Sequence, residues 1–272
     1  SIVFERGMND IPITNGEMSR VETVDGTDIV TSIDINLQKI CEELLLAAIE
    51  STEAQGGSVT VMDAGNGEIY AACSYTKKSN EEREAELAAA EKAAAAASQA
   101  QGEGGEGQTQ DLPGALSDYK LEVGKLAPVT DIYEPGSTFK AFTAYSVLAN
   151  NEGITPETTY TVPYSLEVYD TVISDSHDHP YEDMTVRRIL ADSSNTGTTL
   201  MSREVQTAQL YDTYRAFGFG QKTGCDFPGD TPGQLEESKD WDGVQSATVT
   251  FGQGLTVSAL QLVRAYGVLE QS

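Results

Sequence analysis

A chain of 272 residues with a formal net charge of −26 at pH 7 is long enough for a substantial core. It is too acidic for nucleic acid or an anionic lipid surface to be its partner, and its charge suits neutral or cationic ligands. His177 and His179 are its only histidines, which excludes a His-rich metal site, and Cys41, Cys73 and Cys225 follow no metal-ligand spacing. Cys41 and Cys73 lie in apolar surroundings and read as packed thiols, with at most one disulfide available. There is no apolar run of about 18 residues and no signal peptide at Ser1. The chain opens on Ser1 rather than Met, which suggests that a targeting segment has been removed.

In chain order, residues 1–30 read as an N-terminal arm with short β-like pieces at Ile2-Val3-Phe4 and Val21-Glu22-Thr23-Val24. One domain is expected over 31–272. Asp28 to Asp34 alternates like a strand. A helix is predicted from about Asn36 to Glu53, with Leu37, Ile40, Cys41, Leu44, Leu45, Ala48 and Ile49 on one face. Gly57 to Asp63 and Glu68 to Ser74 flank Asn66-Gly67, a strong hairpin signal. Lys77 to Pro113 breaks the pattern: an Ala/Glu-rich helix over Glu81 to Ala100, then a Gly/Glu/Gln stretch from Gly102 to Gln110 that is expected to be disordered. This is an inserted solvated helix and loop. A partner-binding coiled coil is the sharper alternative, but no a/d seam is present.

Beyond the insert, the apolar run Phe139-Ala141-Phe142-Ala144-Tyr145-Val147-Leu148 has helical spacing. Tyr160 to Ile173 reads as extended. Helices are predicted from Met184 to Leu190, Thr198 to Glu204, Ala208 to Phe217 and Val257 to Leu269, with loops over Gly218 to Gly224 and Pro228 to Gly233. Helices segregated around antiparallel hairpins indicate an α+β domain.

Chemistry concentrates at Tyr133-Glu134-Pro135-Gly136-Ser137-Thr138-Phe139-Lys140. Pro135 and Gly136 break the chain, which puts Ser137 in the first turn of a helix and Lys140 one turn on, on the same face. The positive end of the helix dipole and partial burial disfavour a charged Lys. A neutral amine can act as base towards an otherwise weak Ser nucleophile. A bare Ser-x-x-Lys also reads as an N-cap followed by a solvated Lys, and Ser193-Ser194-Asn195 alone reads as a capped helix-to-helix turn.

Together these segments resemble the transpeptidase domain of penicillin-binding proteins, particularly the class B group. Glu134 to Lys140 is similar to the family's active-site serine motif. Ser193-Ser194-Asn195, followed by Thr196-Gly197, is similar to its Ser-x-Asn motif. Thr250 to Leu262, with Gly252-Gln253-Gly254, resembles the stretch between its second and third motifs. Ile33 to Gln38 and Gly57 to Asp63 resemble its opening helix and hairpin. The resemblance covers nearly the whole chain apart from the insert.

It implies a penicillin-binding protein/β-lactamase-like serine acyltransferase fold, an antiparallel sheet with helices on both sides. It also implies a peptidoglycan D,D-transpeptidase: Ser137 attacks a D-Ala-D-Ala stem peptide, and β-lactams acylate the same residue. Lys140 would be the base, Ser193 would relay a proton, and Asn195 would hydrogen-bond Lys140 or the substrate amide. Ser137 and Asn195 are thus the substrate-binding residues, and the Ser137 N–H would be one oxyanion donor. No cofactor is implied. The implied partners are β-lactam antibiotics, a membrane glycosyltransferase and divisome or elongasome proteins, at the extracytoplasmic face of a bacterial membrane and anchored by an N-terminal helix. A non-catalytic penicillin-binding sensor or scaffold is the alternative, and a hydrolytic relative a third.

Two departures from the family pattern stand out. Lys222-Thr223-Gly224 spells the third motif but sits in loop context, so the motif itself is expected after residue 272, together with further strands and the second oxyanion donor. Leu126-Ala127-Pro128 occupies the place of a usual Asn-Arg pair, and a less rigid site is expected from it. A metal site at His177 and His179 with Asp175 and Asp178 is a weaker candidate.

Overall fold

Asp34 starts the first long helix. Its carboxylate accepts from the N–H groups of Asn36 and Leu37 at 2.9 and 3.0 Å, the capping geometry that satisfies orphan donors. In this computed structural model, which describes residues 2–4, 18–20, 26–100 and 117–271, helix α1 runs Ile35–Thr52 and ends at Glu53 in the left-handed conformation. Two units separate, Ser1–Ser32 and Ile33–Ser272.

In the first unit, β1 (Ile2–Phe4) pairs antiparallel with β2 (Met18–Arg20). The β-like piece at Val21 to Val24 lies outside the described residues. The strand expected over Asp28 to Asp34 does not form. Ile29 and Val30 are 86% and 96% exposed, so the alternation there has no buried face to serve.

The second unit is built around β3 (Gly56–Met62), β4 (Ile69–Lys77) and β5 (Tyr119–Leu121), in the order β3-β4-β5, all antiparallel. The hairpin turn forms as predicted, with Gly67 at φ 78° and Asp63 accepting from Gly65 N–H at 2.7 Å. Period-2 alternation then divides the sheet. Val59, Val61, Ala71, Cys73 and Tyr75 face Cys41, Leu45 and Ile49 of α1, and Gly57 leaves room for Ile49 and Leu45. Ile40 and Leu44, expected on the buried face, are instead exposed. On the opposite face, Ser74 Oγ accepts from Ala127 N–H in α3 (Ala127–Thr130) at 3.5 Å. There too, Met62 meets Gly267 of the last helix. Helices thus cover both faces of the sheet. All three cysteines are free thiols, and burial pushes Cys73 up to about 11.

The insert helix α2 spans Asn80–Ala100. Its first turns are tied to the sheet by Lys78–Glu86 at 2.5 Å, by Arg83–Asp118 at 2.9 Å and by Lys120–Glu82. The disorder expected over Gly102 to Gln110 lies outside the described residues.

A 3-10 turn, Gly136–Phe139, opens α4 (Lys140–Asn150). Strands β7 (Thr159–Val162), β8 (Ser165–Val168), β9 (Thr171–Ser174) and β10 (Glu182–Thr185) follow, paired as β7 with β10 and β8 with β9. Met184 and Thr185 end β10, so α5 begins at Val186 and runs to Ala191. Ser194 caps α6 (Asn195–Ser202), which starts three residues earlier than periodicity indicated. α7 (Thr207–Ala216) and a short α8 (Gln245–Thr248) precede α9 (Ala259–Glu270). Val257 and Ser258, expected in that last helix, form β11 and pair with β6 (Ile132–Tyr133).

The largest apolar cluster lies under the 3-10 turn. Phe139 is fully buried against Tyr214 and Phe219, with ring centroids 4.7 and 4.8 Å away. Fully burying one such side chain contributes roughly 1.5–3 kcal/mol, and this one bolts the Ser137 turn to the core.

Candidate active site

The segment that presents Ser137 is held from both ends by residues far along the chain. Gly136 N–H donates to Gly252 O at 2.9 Å. Glu134 accepts from Gly254 N–H at 2.8 Å, and Tyr266 donates to Thr138 O at 2.6 Å. β6, immediately before Glu134, pairs with β11, immediately after this clamp. Gly252 has φ 83°, and a Cβ there would lie 2.1 Å from Gly136 O. Both the torsion and the approach require glycine. The stretch around Gly252-Gln253-Gly254 is therefore a mount for the Ser137 turn.

On that mount Ser137 is exposed, and its Oγ has no protein partner among the described residues. Its N–H lies at a helix start, where donors lack intrahelical acceptors. Lys140, three residues on, is 2% exposed. Its Nζ donates to Ser193 Oγ at 3.1 Å and also to Ser193 O. Burial pushes the amine down to about 8, against the opposing pull of the Asp175 carboxylate. An amine that sheds its proton near neutrality is suited to general-base work.

Ser193 occupies the junction of α5 and α6. Its φ is 56°, while Ser193 N–H donates to Leu190 O at 3.2 Å and Ser194 N–H to Ile189 O at 3.0 Å. This is the Schellman arrangement, with Ser193 in the left-handed position where glycine is favoured. A serine kept there at a cost of about 1–2 kcal/mol is a strained residue beside a buried base, the pattern of a functional site.

Of the two partners expected for Asn195, Lys140 or a substrate amide, Lys140 is not hydrogen-bonded to it. The Asn195 Nδ2 donates to Ser174 O at 2.9 Å, and its Oδ1 has no partner among the described residues. The amide oxygen is thus available to a ligand N–H. The structure brings Lys140 and Ser193 into direct contact, places Ser137 one turn before Lys140, and sets Asn195 at the next position but one after Ser193.

Asp175 is the member that sequence reasoning passed over except as a metal candidate. It accepts from Ser194 Oγ at 2.6 Å, Asn195 N–H at 2.5 Å and Thr196 N–H at 3.0 Å. Burial alone would raise its pKa, but the donors from Ser194, Thr196, His179 and Asn195 outweigh it and hold the carboxyl below the usual range. His179 faces it, with Nε2 3.0 Å from Asp175 Oδ2 and Nδ1 2.8 Å from Pro180 O. Only an imidazolium donates from both nitrogens, and the Asp175 and Pro180 contacts raise the pKa of His179. No local pattern flagged Asp175, because it follows an ordinary strand. Among the described residues no group of three or more His, Cys, Asp or Glu is placed to hold a metal.

Lys222-Thr223-Gly224 lies in an irregular loop. Asp230 ties it down through Thr223 N–H and Gly224 N–H at 3.2 and 2.9 Å.

The family profile described as the penicillin binding protein transpeptidase domain matches residues 57–272. A probable peptidoglycan D,D-transpeptidase PenA of Neisseria flavescens is 31% identical over 244 residues, covering 90% of this chain and 52% of its own. Peptidoglycan D,D-transpeptidase FtsI of Escherichia coli K12 is 26% identical over 257 residues, covering 92% of this chain and 37% of its own. Among solved structures, penicillin-binding protein 3 of Mycobacterium tuberculosis, complexed with aztreonam, matches with a TM-score of 0.70 at 25% identity, over 92% of this chain and 48% of that one. The chain spans about half the length, or less, of these relatives. With the profile covering well over half of its residues, the chain belongs to the penicillin-binding protein transpeptidase family, in the class B group.

Proposed function

We propose that this chain carries the nucleophile and base of a peptidoglycan D,D-transpeptidase. The observation that supports it most is the buried Lys140 amine, pushed down to about 8 and bonded to Ser193, one turn after an exposed Ser137. Ser137 Oγ would attack the carbonyl carbon between two terminal D-alanines, giving its proton to Lys140. Collapse of the tetrahedral adduct would break the C–N bond and expel the terminal D-alanine, its amine taking a proton relayed by Ser193. An amine from a neighbouring stem would then attack the ester, forming the cross-link and restoring Ser137. The Ser137 N–H would hold the oxyanion, and the Asn195 oxygen would take the substrate amide N–H.

A β-lactam would open on Ser137 by the same first step and stay there as an ester. The parent protein would work at the extracytoplasmic face of the membrane, alongside a glycosyltransferase and division or elongation proteins. Among the described residues no helix is long and apolar enough to cross a membrane.

The test is intact mass after incubation of the full-length protein with benzylpenicillin. One added drug mass, absent in Ser137→Ala, is expected; no adduct on a folded protein removes the acyl-transfer reading. An adduct without cross-linking of stem peptides turns the assignment to a penicillin-binding sensor.

A further inference from the structure

Asn195, and the turn that immediately follows Ser193, have their backbone fixed by a residue outside every family-like motif read in the sequence. Asp175 lies just after β9 and accepts from three donors of the next segment: Ser194 Oγ, Asn195 N–H and Thr196 N–H. Ser194 Oγ is at the same time the acceptor for Gly197 N–H at 2.8 Å, so one hydroxyl links the carboxylate to the helix cap. The strained Ser193 immediately precedes this knot, and Asn195 belongs to it.

On the basis of the acyl-transfer reading above, we propose that Asp175 is a positioning residue of the site: it locks the Ser194–Thr196 turn that follows Ser193 and carries Asn195, and its charge acts on Lys140.

The charged surroundings are few. Asp175, His177, His179, Glu182, Arg188 and Asp192 line one hollow of about 310 Å³. Arg188 is engaged by Glu182 and by Asp192 at 3.0 Å, and Glu182 also acts on His179. Tyr164 meets the His179 ring edge-on at 6.1 Å. The Asp175 carboxylate raises the proton affinity of Lys140 against burial. Removing that charge lowers the affinity further, so the amine becomes neutral at a lower pH.

The experiment is the acylation rate constant of the full-length protein with benzylpenicillin as a function of pH, for wild type, Asp175→Asn and Asp175→Glu, with melting temperatures to establish folding. Asp175→Asn keeps the shape without the charge. Its acylation is expected to fall by about 10- to 100-fold, the scale of a misplaced catalytic group, with the rising limb of the profile moved to lower pH. Asp175→Glu restores the charge on a longer arm, so its limb returns to the wild-type position while the rate stays low. A wild-type rate in Asp175→Asn overturns the inference. So does a lowered rate with an unmoved limb, which is what a purely structural carboxylate gives. If Asp175→Asn does not fold, Asp175→Glu carries the test, and a wild-type rate in it overturns the inference. Absence of acylation in the wild type is a separate result and removes the acyl-transfer reading instead.

Discussion

Lys140 is a cation placed where a cation is unfavourable. Its amine is buried, and its ordinary value of 10.5 falls to about 8, a differential worth about 1–3 kcal/mol after allowing for relaxation around the site. Lys140→Met, similar in length and apolar, should therefore raise the melting temperature while abolishing acylation; thermal melts and penicillin labelling read the two effects separately. Ser193 shows the same opposition in its backbone. Ser193→Gly relieves a φ of 56° and should stabilise the fold by about 1 kcal/mol, yet slow acylation by removing the hydroxyl that Lys140 holds. A variant that gains stability and loses rate marks a residue kept for chemistry. These positions were legible in the sequence because Ser137, Lys140 and Ser193 lie in short motifs with fixed spacing. Asp175 was not, since its partners lie about twenty residues on and form only when β9 and α6 meet.

At the scale of elements, the decisive contact is backbone against backbone. Gly252 presses on Gly136 with no space for a methyl group. Gly252→Ala adds a strained torsion and a clash that no rotamer can relieve, and should cost about 2 kcal/mol or more. The Ser137 turn should lose its acylation rate beyond what that destabilisation explains, which rate measurements well below the melting temperature will show. Helices were read well where a face is buried and a cap is present, as in α1 and α7, since 3.6-residue periodicity and side-chain caps are local signals. The short pieces β6 and β11 were not read, because two residues carry no period. Their strand character comes wholly from the partner, Val257 opposite Tyr133 and Ser258 opposite Ile132. The exposed stretch around Ile29 and Val30 failed in the opposite sense: it has the pattern without a buried face.

For the whole molecule, the His179–Asp175 pair makes stability depend on pH in a bounded window. Asp175 lies below its ordinary value of 3.8, so its contribution is present above that value and is lost as pH falls through the folded value. His179 lies above its ordinary 6.5, so its contribution is present below 6.5 and is lost as pH rises through the folded value. Both hold between about 3.8 and 6.5, and urea titrations should show His179→Gln losing stability there relative to wild type and matching it more closely at pH 8. The mount of Ser137 carries a different consequence, one of time. Glu134 is clamped by Gly254 from 120 residues downstream, and Thr138 by Tyr266 from 128. A ribosome adds about 5–20 residues per second, so the motif around Ser137 leaves it many seconds before the residues that shape it. Nascent chains arrested before Gly252 should not take up a fluorescent penicillin, and chains released beyond Tyr266 should label better. On the proposed chemistry Ser137 is made early and armed late, which would leave the growing polypeptide chemically quiet until Gly254 and Tyr266 have been added.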